Sequence, residues 1–139
     1  MAAYRHEYKH EINTSDFITL SMRLNAALKA DEFARADGAY EITSLYFDDV
    51  YDTALKEKIS GVNCRDKFRL RRYNNDTEHI KLEKKSKRGG LCLKESAAIT
   101  ATQAQSIIGS DIDFLTAQGG VMAELYSAVL VSYNGEYMG

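Results

Sequence analysis

The sequence lacks a hydrophobic run long enough to cross a membrane. The longest apolar stretch with little charge, residues 121–133, contains Glu124 and is shorter than the roughly 20 residues that a transmembrane helix needs. The N-terminal residues reach charged side chains before an apolar segment can form, so a secretory signal peptide is not expected either. These absences predict a cytoplasmic protein without a membrane segment.

Cysteine is scarce, and several common catalytic motifs are missing. Cys64 and Cys92 form no C-x-x-C unit and could make only one bridge, so both thiols are predicted to be reduced rather than part of a disulfide scaffold. The three histidines lack metal-ligand spacing with the cysteines, and the glycines lack the spacing of a P-loop. No nucleophilic triad is visible in the sequence.

Lys and Arg are absent after residue 95, and this absence exposes an uneven charge distribution. Residues 54–95 hold 13 basic against 6 acidic residues, a charge of +7, whereas the rest of the chain holds 5 basic against 14 acidic residues, a charge of −9. A wide nucleic-acid-binding face usually makes the whole domain basic. A cationic block inside a mildly acidic protein therefore indicates a localised anion site.

The composition is that of a folded domain. The 139 residues are 45% hydrophobic and 27% charged, close to the averages of about 45–50% and 25% for globular proteins. This length is typical of one domain, so we expect residues 1–139 to form a single unit with one core.

Periodicity and turn residues predict an α+β fold with an antiparallel sheet and flanking helices. We expect strands over residues 5–12, 39–48, 64–73, 78–87, 91–95 and 128–133. We expect helices over residues 15–30, 49–60, 101–108 and 112–126, the last with a potential break at Gly119-Gly120.

Alternation in three of these strands predicts a cationic sheet face, because every second residue of a strand points to the same side. With Lys9 from the first strand, the residues expected on this face are Lys9, Arg65, Lys67, Arg69, Arg71, Lys85, Lys87 and Lys94. For any one of them, a solvated surface residue paired with Glu7, Glu11 or Glu83 is an adequate interpretation. Together they suit a polyanion such as a phosphate chain, and the three glutamates offer oxygen ligands for Mg²⁺ or Mn²⁺.

Four segments and one lysine carry a family resemblance. RHEYKHEI (5–12), SLYFD (44–48), KFRLRRYN (67–74) and LEKK (82–85), followed by Lys94, resemble in order and spacing the VTC (vacuolar transporter chaperone) domain. That domain belongs to the triphosphate tunnel metalloenzyme, or CYTH-like, superfamily, and the resemblance covers about residues 4–100. Each motif alone is weak, but the set is specific.

The resemblance implies an antiparallel barrel that encloses a basic tunnel. It implies a polyphosphate polymerase that transfers the terminal phosphoryl group of ATP to a polyphosphate chain with Mn²⁺ or Mg²⁺. The resemblance places five catalytic and phosphate-binding residues in the tunnel: Lys9, Arg69, Arg71, Lys85 and Lys94. Arg65, Lys67 and Lys87 join the phosphate-binding set by alternation alone. Glu7, Glu11 and Glu83 are the candidate metal ligands, although Lys9 stands between the first two.

The resemblance also implies that the chain corresponds to the N-terminal half of the barrel. Residues 129–137 resemble the start of the next family strand, with Asn134-Gly135 where an Arg is expected. Three explanations are open: the sequence is a truncated piece of the domain, a degenerate gene product, or a half-barrel that closes by pairing with another copy. If the chain is complete as given, the unpaired strand edges of a half-barrel predict homodimerisation or aggregation.

Two alternative functions remain open. The first alternative to the polymerase is a triphosphatase of the same superfamily, with water as the phosphoryl acceptor. The second is a non-catalytic polyphosphate-binding module. Nucleic acid is not an expected partner, because the basic strands show no evident stacking aromatics on the cationic face.

Overall fold

The structure is a computed structural model that describes residues 3–32, 34–49 and 51–133. Strands and helices are mixed along the chain. The strands are β1 (Arg5–His6), β2 (Ile42–Tyr46), β3 (Cys64–Tyr73), β4 (Ile80–Arg88) and β5 (Leu91–Ile99). The helices are α1 (Thr14–Ala27), α2 (Thr53–Ile59), α3 (Ala101–Ile108) and α4 (Gly120–Tyr133), and a short 3-10 helix (Asp113–Ala117) lies between the last two.

The strands form one antiparallel sheet in the order β1-β5-β4-β3-β2. Within the described residues the sheet is open, with β1 and β2 at its edges. The long strands β4 and β5 are joined at Gly89 and Gly90, whose φ angles of 55° and 88° suit the two-residue turns that glycine allows. The expected mixed fold with an antiparallel sheet is confirmed, and the described sheet is not a closed barrel.

The hydrophobic core lies on one face of this sheet. Leu70 of β3 and Leu82 of β4 are buried there, together with Leu115 of the 3-10 helix and Leu125 of α4. Burial of such side chains contributes roughly 1.5–3 kcal/mol each. The helices after β5 therefore cover one face of the sheet, and the alternate side chains of β3 and β4 point away from that core.

An ion-pair network joins α4 to the core side of the sheet. Lys84 of β4 donates a hydrogen bond to Glu124 of α4 and lies 3.9 Å from Asp66 and 4.0 Å from Glu95. Burial lowers the pKa of Lys84, but the hydrogen bond to Glu124 and the nearby acids outweigh this effect and raise it. Lys84 therefore helps to hold α4 against the core side of the sheet and does not contribute to the opposite side.

Side-chain capping sets the beginning of two helices. Asn13 accepts a hydrogen bond from the backbone N–H of Asp16 and so begins α1, and Thr100 accepts one from Gln103 and begins α3. Helix α1 ends at Ala27, earlier than the expected residue 30. The strands expected over residues 39–48 and 78–87 and the helix expected over 49–60 are shifted or shortened at their ends in the same way.

Two predicted strands are wrong in extent or type. The strand expected over residues 5–12 pairs with β5 only at Arg5 and His6, because the chain then leaves the sheet and Glu7 forms ion pairs instead. The strand expected over residues 128–133 belongs to α4, whose earlier residues Met122 and Leu125 pack into the core. The helix that begins at Gly120 thus continues through this segment in spite of its β propensity. Residues 134–137 of the expected next family strand lie outside the described residues.

One predicted strand is longer than expected, and one predicted helix is divided. Strand β5 runs to Ile99, four residues beyond the expected end at residue 95. The helix expected over 112–126 is a 3-10 helix followed by α4, with the break at the predicted Gly119-Gly120, where both φ angles are positive.

Candidate functional site

Cross-strand register brings the predicted cations together on the sheet face opposite the core. Lys67, Lys85 and Lys94 form one row across β3, β4 and β5, and Arg65 pairs with Lys87 in the next row. The cationic face is defined here by the cations of these three strands that share this side: Arg65, Lys67, Arg69, Arg71, Lys81, Lys85, Lys87 and Lys94. Like charges directly opposite one another destabilise a sheet, so negative charges close to this face would stabilise it.

Glu83 supplies one such negative charge from within the sheet. Only 3% of the residue is exposed, and its Oε2 accepts a hydrogen bond of 2.6 Å from Nε of Arg69. Arg71 NH1 lies 3.9 Å from the same oxygen, and Lys94 Nζ lies 3.7 Å from Oε1. A buried carboxylate with three cationic neighbours is an internal counter-ion that fixes the two arginines.

Glu7 is a second internal counter-ion, at the other end of the face. Its Oε2 lies 2.5 Å from Nζ of Lys85 and its Oε1 lies 3.7 Å from Nζ of Lys9, and the contact with Lys85 lowers the pKa of Glu7. These residues line a cleft of about 390 Å³, and the other lining residues are Arg65, Lys67, Lys87, Gly90 and Cys92. Among the described lining residues, Glu7 is the single acid against five cations.

Lys67 lies in this cleft without a carboxylate partner within the described parts of the chain. Partial burial lowers its pKa, and the positive charges of Arg65 and Lys58 lower it further. Arg65 itself donates a hydrogen bond of 2.9 Å to the backbone oxygen of Val62, which orients it beside the cleft. An anion bound next to Lys67 would relieve this repulsion.

Tyr46 of β2 holds Arg69 from the side opposite Glu83. Its hydroxyl accepts a hydrogen bond of 2.9 Å from NH1 of Arg69, and the guanidinium carbon lies 5.8 Å from the centre of its ring. The bond from Arg69 lowers the pKa of Tyr46. Arg69 is thus held between a carboxylate and a phenol, with its remaining donors available to a ligand.

The three predicted metal ligands are not gathered into one site. The oxygens of Glu7 and Glu83 contact cations, and Glu11 is exposed in the segment before α1. Over residues 3–32, 34–49 and 51–133, no group of three or more His, Cys, Asp or Glu side chains is arranged to hold a metal ion. The assignment of these carboxylates as ligands of Mn²⁺ or Mg²⁺ therefore stays a prediction from the resemblance.

The sequence matches the model of the VTC domain family over residues 4–134. The chain belongs to the VTC domain family. The predicted resemblance is therefore confirmed, and the match extends beyond the motifs to α3 and all of α4. Searches of curated proteins and of solved structures found no match.

In this VTC domain, the cations expected from the family resemblance occupy two connected regions. Lys9 and Lys85 lie beside Glu7, whereas Arg69, Arg71 and Lys94 surround Glu83. The residues assigned by alternation, Arg65, Lys67 and Lys87, line the cleft next to Lys85. Register thus joins the strand residues of both groups on one side of the sheet, and the segment after β1 places Lys9 beside them.

Sequence reasoning missed the aromatic residues of this face. Tyr46 lies opposite Arg69 in the β2–β3 register, and the guanidinium carbon of Arg71 lies 5.2 Å from the ring centre of Tyr73. The expectation that the cationic face has no stacking aromatics is therefore wrong. Strand alternation alone could have found Tyr73, since it is two residues after Arg71, but Tyr46 required the register.

Two smaller expectations can be compared with the described residues. Cys64 and Cys92 are both free thiols in the structure. None of the helices within the described ranges combines the length and apolar character needed to span a membrane.

Proposed function

We propose that this VTC domain binds the phosphates of ATP and polyphosphate on its cationic face, as a polyphosphate polymerase-type domain. The observation that carries the proposal is the row of Lys67, Lys85 and Lys94, which the fold places in direct register although like charges repel. The buried Nε of Arg71 also has no hydrogen-bond partner among the described residues. A chain of phosphates would neutralise the row and supply acceptors.

The proposed reaction transfers the terminal phosphoryl group of ATP. The bond between the γ-phosphorus and its bridging oxygen breaks, a terminal oxygen of the polyphosphate chain forms the new P–O bond, and ADP leaves. Such transfer depends on positioning and charge neutralisation more than on a covalent intermediate. Lys9, Arg69, Arg71, Lys85 and Lys94 would hold the phosphates and disperse the negative charge of the transition state. A requirement for Mn²⁺ or Mg²⁺ stays a prediction from the resemblance.

The proposal includes closure of the sheet into a tunnel. Within the described residues the outer sides of β1 and β2 pair with no further strand, so further strands can add there. A second copy of the chain is one source of those strands, and a tunnel would surround the phosphates with cations on more than one side. This supports the homodimer expected from the sequence.

The first test is isothermal titration with tripolyphosphate, with and without Mn²⁺. Wild type is compared with Arg69→Ala/Arg71→Ala and with Arg23→Ala/Lys29→Ala, a control that removes two exposed cations of α1 and its C-terminal flank. We expect saturable binding that the first variant loses and the control keeps. No binding by wild type, or equal binding by all three proteins, would overturn the proposal.

A second assay separates the proposed polymerase from its two rivals. Incubation with ATP and a short polyphosphate primer should give longer chains and ADP. Release of orthophosphate from tripolyphosphate without chain growth would favour the triphosphatase. Binding without either reaction would favour the polyphosphate-binding module.

A further inference from the structure

One lysine of the cationic cleft differs from its neighbours in the row across β3, β4 and β5. Lys67 lines the cleft of about 390 Å³ and, in the described parts of the chain, pairs with no carboxylate. Nζ of Lys85 lies 2.5 Å from Glu7. Nζ of Lys94 lies 3.7 Å from Glu83. An acid therefore stabilises the charge of both other lysines in the row, whereas none does so for Lys67.

The surroundings of Lys67 favour its neutral form. Partial burial has the largest effect in lowering its pKa, and the positive charges of Arg65 and Lys58 lower it further. A neutral amine has a free electron pair and is a nucleophile, whereas an ammonium group is not. Lys67 therefore combines nucleophilic character with a place inside an anion-attracting cleft.

The other cations of the cleft can hold a phosphate group beside this amine. Lys85 lies opposite Lys67 in the sheet, and Arg65 lies opposite Lys87 in the adjoining row. All four side chains line the same cleft, and such a concentration of positive charge raises the local concentration of anions. A small phosphate ester or anhydride bound by these cations brings its neighbouring carbon close to the amine, and such positioning accelerates reaction.

We propose that Lys67 is an acylation site whose acyl donor is an acyl phosphate bound in the cationic cleft. The inference rests on the proposed function, since both need the cleft to accept phosphate groups, and it adds a covalent regulation of phosphate binding. Acylation turns an amine that can carry charge into a neutral amide. The modified cleft has one cation fewer and binds a phosphate chain more weakly.

The reaction is a transfer of the acyl group from phosphate to nitrogen. The electron pair of the neutral Nζ attacks the carbonyl carbon of the donor, and a C–N bond forms. The bond between that carbon and the bridging phosphate oxygen breaks, and inorganic phosphate leaves with the electron pair. The nitrogen releases one proton to solvent. Arg65, Lys85 and Lys87 surround the leaving phosphate and stabilise its charge.

An acyl phosphate fits this cleft better than an uncharged acyl donor. A neutral ester reacts with any accessible neutral amine and gains nothing from the cations beside Lys67. An acyl phosphate carries negative charge on its leaving group, so the same cations bind the donor and favour its cleavage. The preference for Lys67 should therefore depend on the charge of the donor.

The test compares acetyl phosphate with the uncharged donor N-hydroxysuccinimidyl acetate, and peptide mass spectrometry gives the acetylation rate of each lysine. With acetyl phosphate we expect Lys67 to react at least about fivefold faster than the exposed Lys29, and with the uncharged donor this ratio should be smaller. Arg65→Gln should lower the ratio for acetyl phosphate, whereas the control Arg23→Gln, in exposed α1, should not. Saturating tripolyphosphate should protect Lys67 and leave Lys29 reactive.

Isothermal titration measures the effect of the modification on binding. Treatment with acetyl phosphate should weaken tripolyphosphate binding by wild type several-fold. Lys67→Arg has no amine at this position, so the same treatment should reduce its affinity much less, relative to its own untreated value. An equal relative loss in both proteins would overturn the regulatory role of Lys67.

The outcomes separate this inference from the proposed function. If tripolyphosphate binds but Lys67 reacts no faster than Lys29, or shows the same ratio with both donors, the acylation site is overturned and the proposed function stands. If tripolyphosphate does not bind but acetyl phosphate still selects Lys67, the proposed function is overturned and the acylation site is supported. Absence of both binding and selectivity would overturn both.

Discussion

At the residue scale, the central feature is a buried carboxylate that holds three cations. Glu83 is surrounded by Arg69, Arg71 and Lys94, and the two arginines are largely buried with it. Removing one partner of a buried ion pair leaves uncompensated charge, which costs far more than loss of an exposed pair. The stability of the sheet and the geometry of the candidate site therefore depend on the same side chain.

We expect Glu83→Ala to lower the free energy of unfolding by roughly 3 kcal/mol, because three cations lose their counter-ion. Urea denaturation at neutral pH measures the loss. Glu78→Ala, at an exposed position before β4, should change it by less than about 0.5 kcal/mol. Added tripolyphosphate should recover part of the loss by binding the cations. A loss for Glu83→Ala no greater than for the control would contradict this account.

The lowered pKa of Lys67 predicts how phosphate binding depends on pH. Burial and the charges of Arg65 and Lys58 hold its pKa below the usual 10.5, and a bound phosphate should raise it. Binding then takes up a proton near that pKa, so tripolyphosphate affinity should fall as pH rises from neutral through the pKa of Lys67. Titrations at several pH values should show a smaller fall for Lys67→Gln. Identical pH profiles for the two proteins would show that phosphate binding does not change the protonation of Lys67.

At the element scale, the segment between β1 and α1 places an acid in a cleft of cations. Residues 7–13 are exposed and belong to no helix or strand, yet Glu7 reaches Lys85. An incoming phosphate would compete with Glu7 for Lys85. Glu7 would then compete with the bound phosphate, whereas the resemblance implies that Glu7 binds a metal ion. The two roles predict opposite effects of a substitution at Glu7 on phosphate binding.

We expect Glu7→Gln to strengthen tripolyphosphate binding several-fold, since one negative charge leaves a cleft that the ligand enters. Glu11→Gln removes an exposed acid from the same segment and should leave the affinity unchanged. Isothermal titration with and without Mn²⁺ measures both variants. Weaker binding by Glu7→Gln, together with loss of any Mn²⁺ effect, would instead support the metal-ligand role.

At the scale of the whole molecule, the open sheet has an edge with little protection. Strand β2 reads Ile42-Thr43-Ser44-Leu45-Tyr46 and has no charged residue, and Ile42, Leu45 and Tyr46 are exposed. Natural edge strands usually carry Lys, Pro or a bulge that prevents pairing with another chain. The β2 edge therefore suits the addition of a further strand.

We expect the purified chain to form dimers or larger species at micromolar concentration, by strand pairing at β2. Thr43→Lys places a charge on this edge and should shift the distribution towards monomer, whereas Thr102→Lys, at an exposed position of α3, should not. Sedimentation velocity over a concentration series measures both. A monodisperse wild-type monomer would contradict the prediction.

Much of the fold followed from local patterns in the sequence. The alternation of Arg65, Lys67, Arg69 and Arg71 predicted β3 and its cationic side, and the turn residues after it predicted the hairpin. Strand alternation is a property of the backbone, so it can be read without tertiary information. The motifs around Tyr46, Arg69 and Glu83 also indicated the VTC family that the wider match confirms.

The tertiary structure decided what depends on neighbours distant in the chain. Residues 128–133 continue α4, whose earlier residues Met122 and Leu125 pack in the core, although Val129 and Val131 are β-branched residues that favour a strand. Register decided that Glu83 neutralises Arg69 and Arg71 and that Tyr46 meets Arg69, and the path of the chain after β1 decided that Glu7 reaches Lys85. The sequence by itself determined which side chains share a strand face, whereas only the fold determined which of them touch, because register and packing are set by long-range contacts.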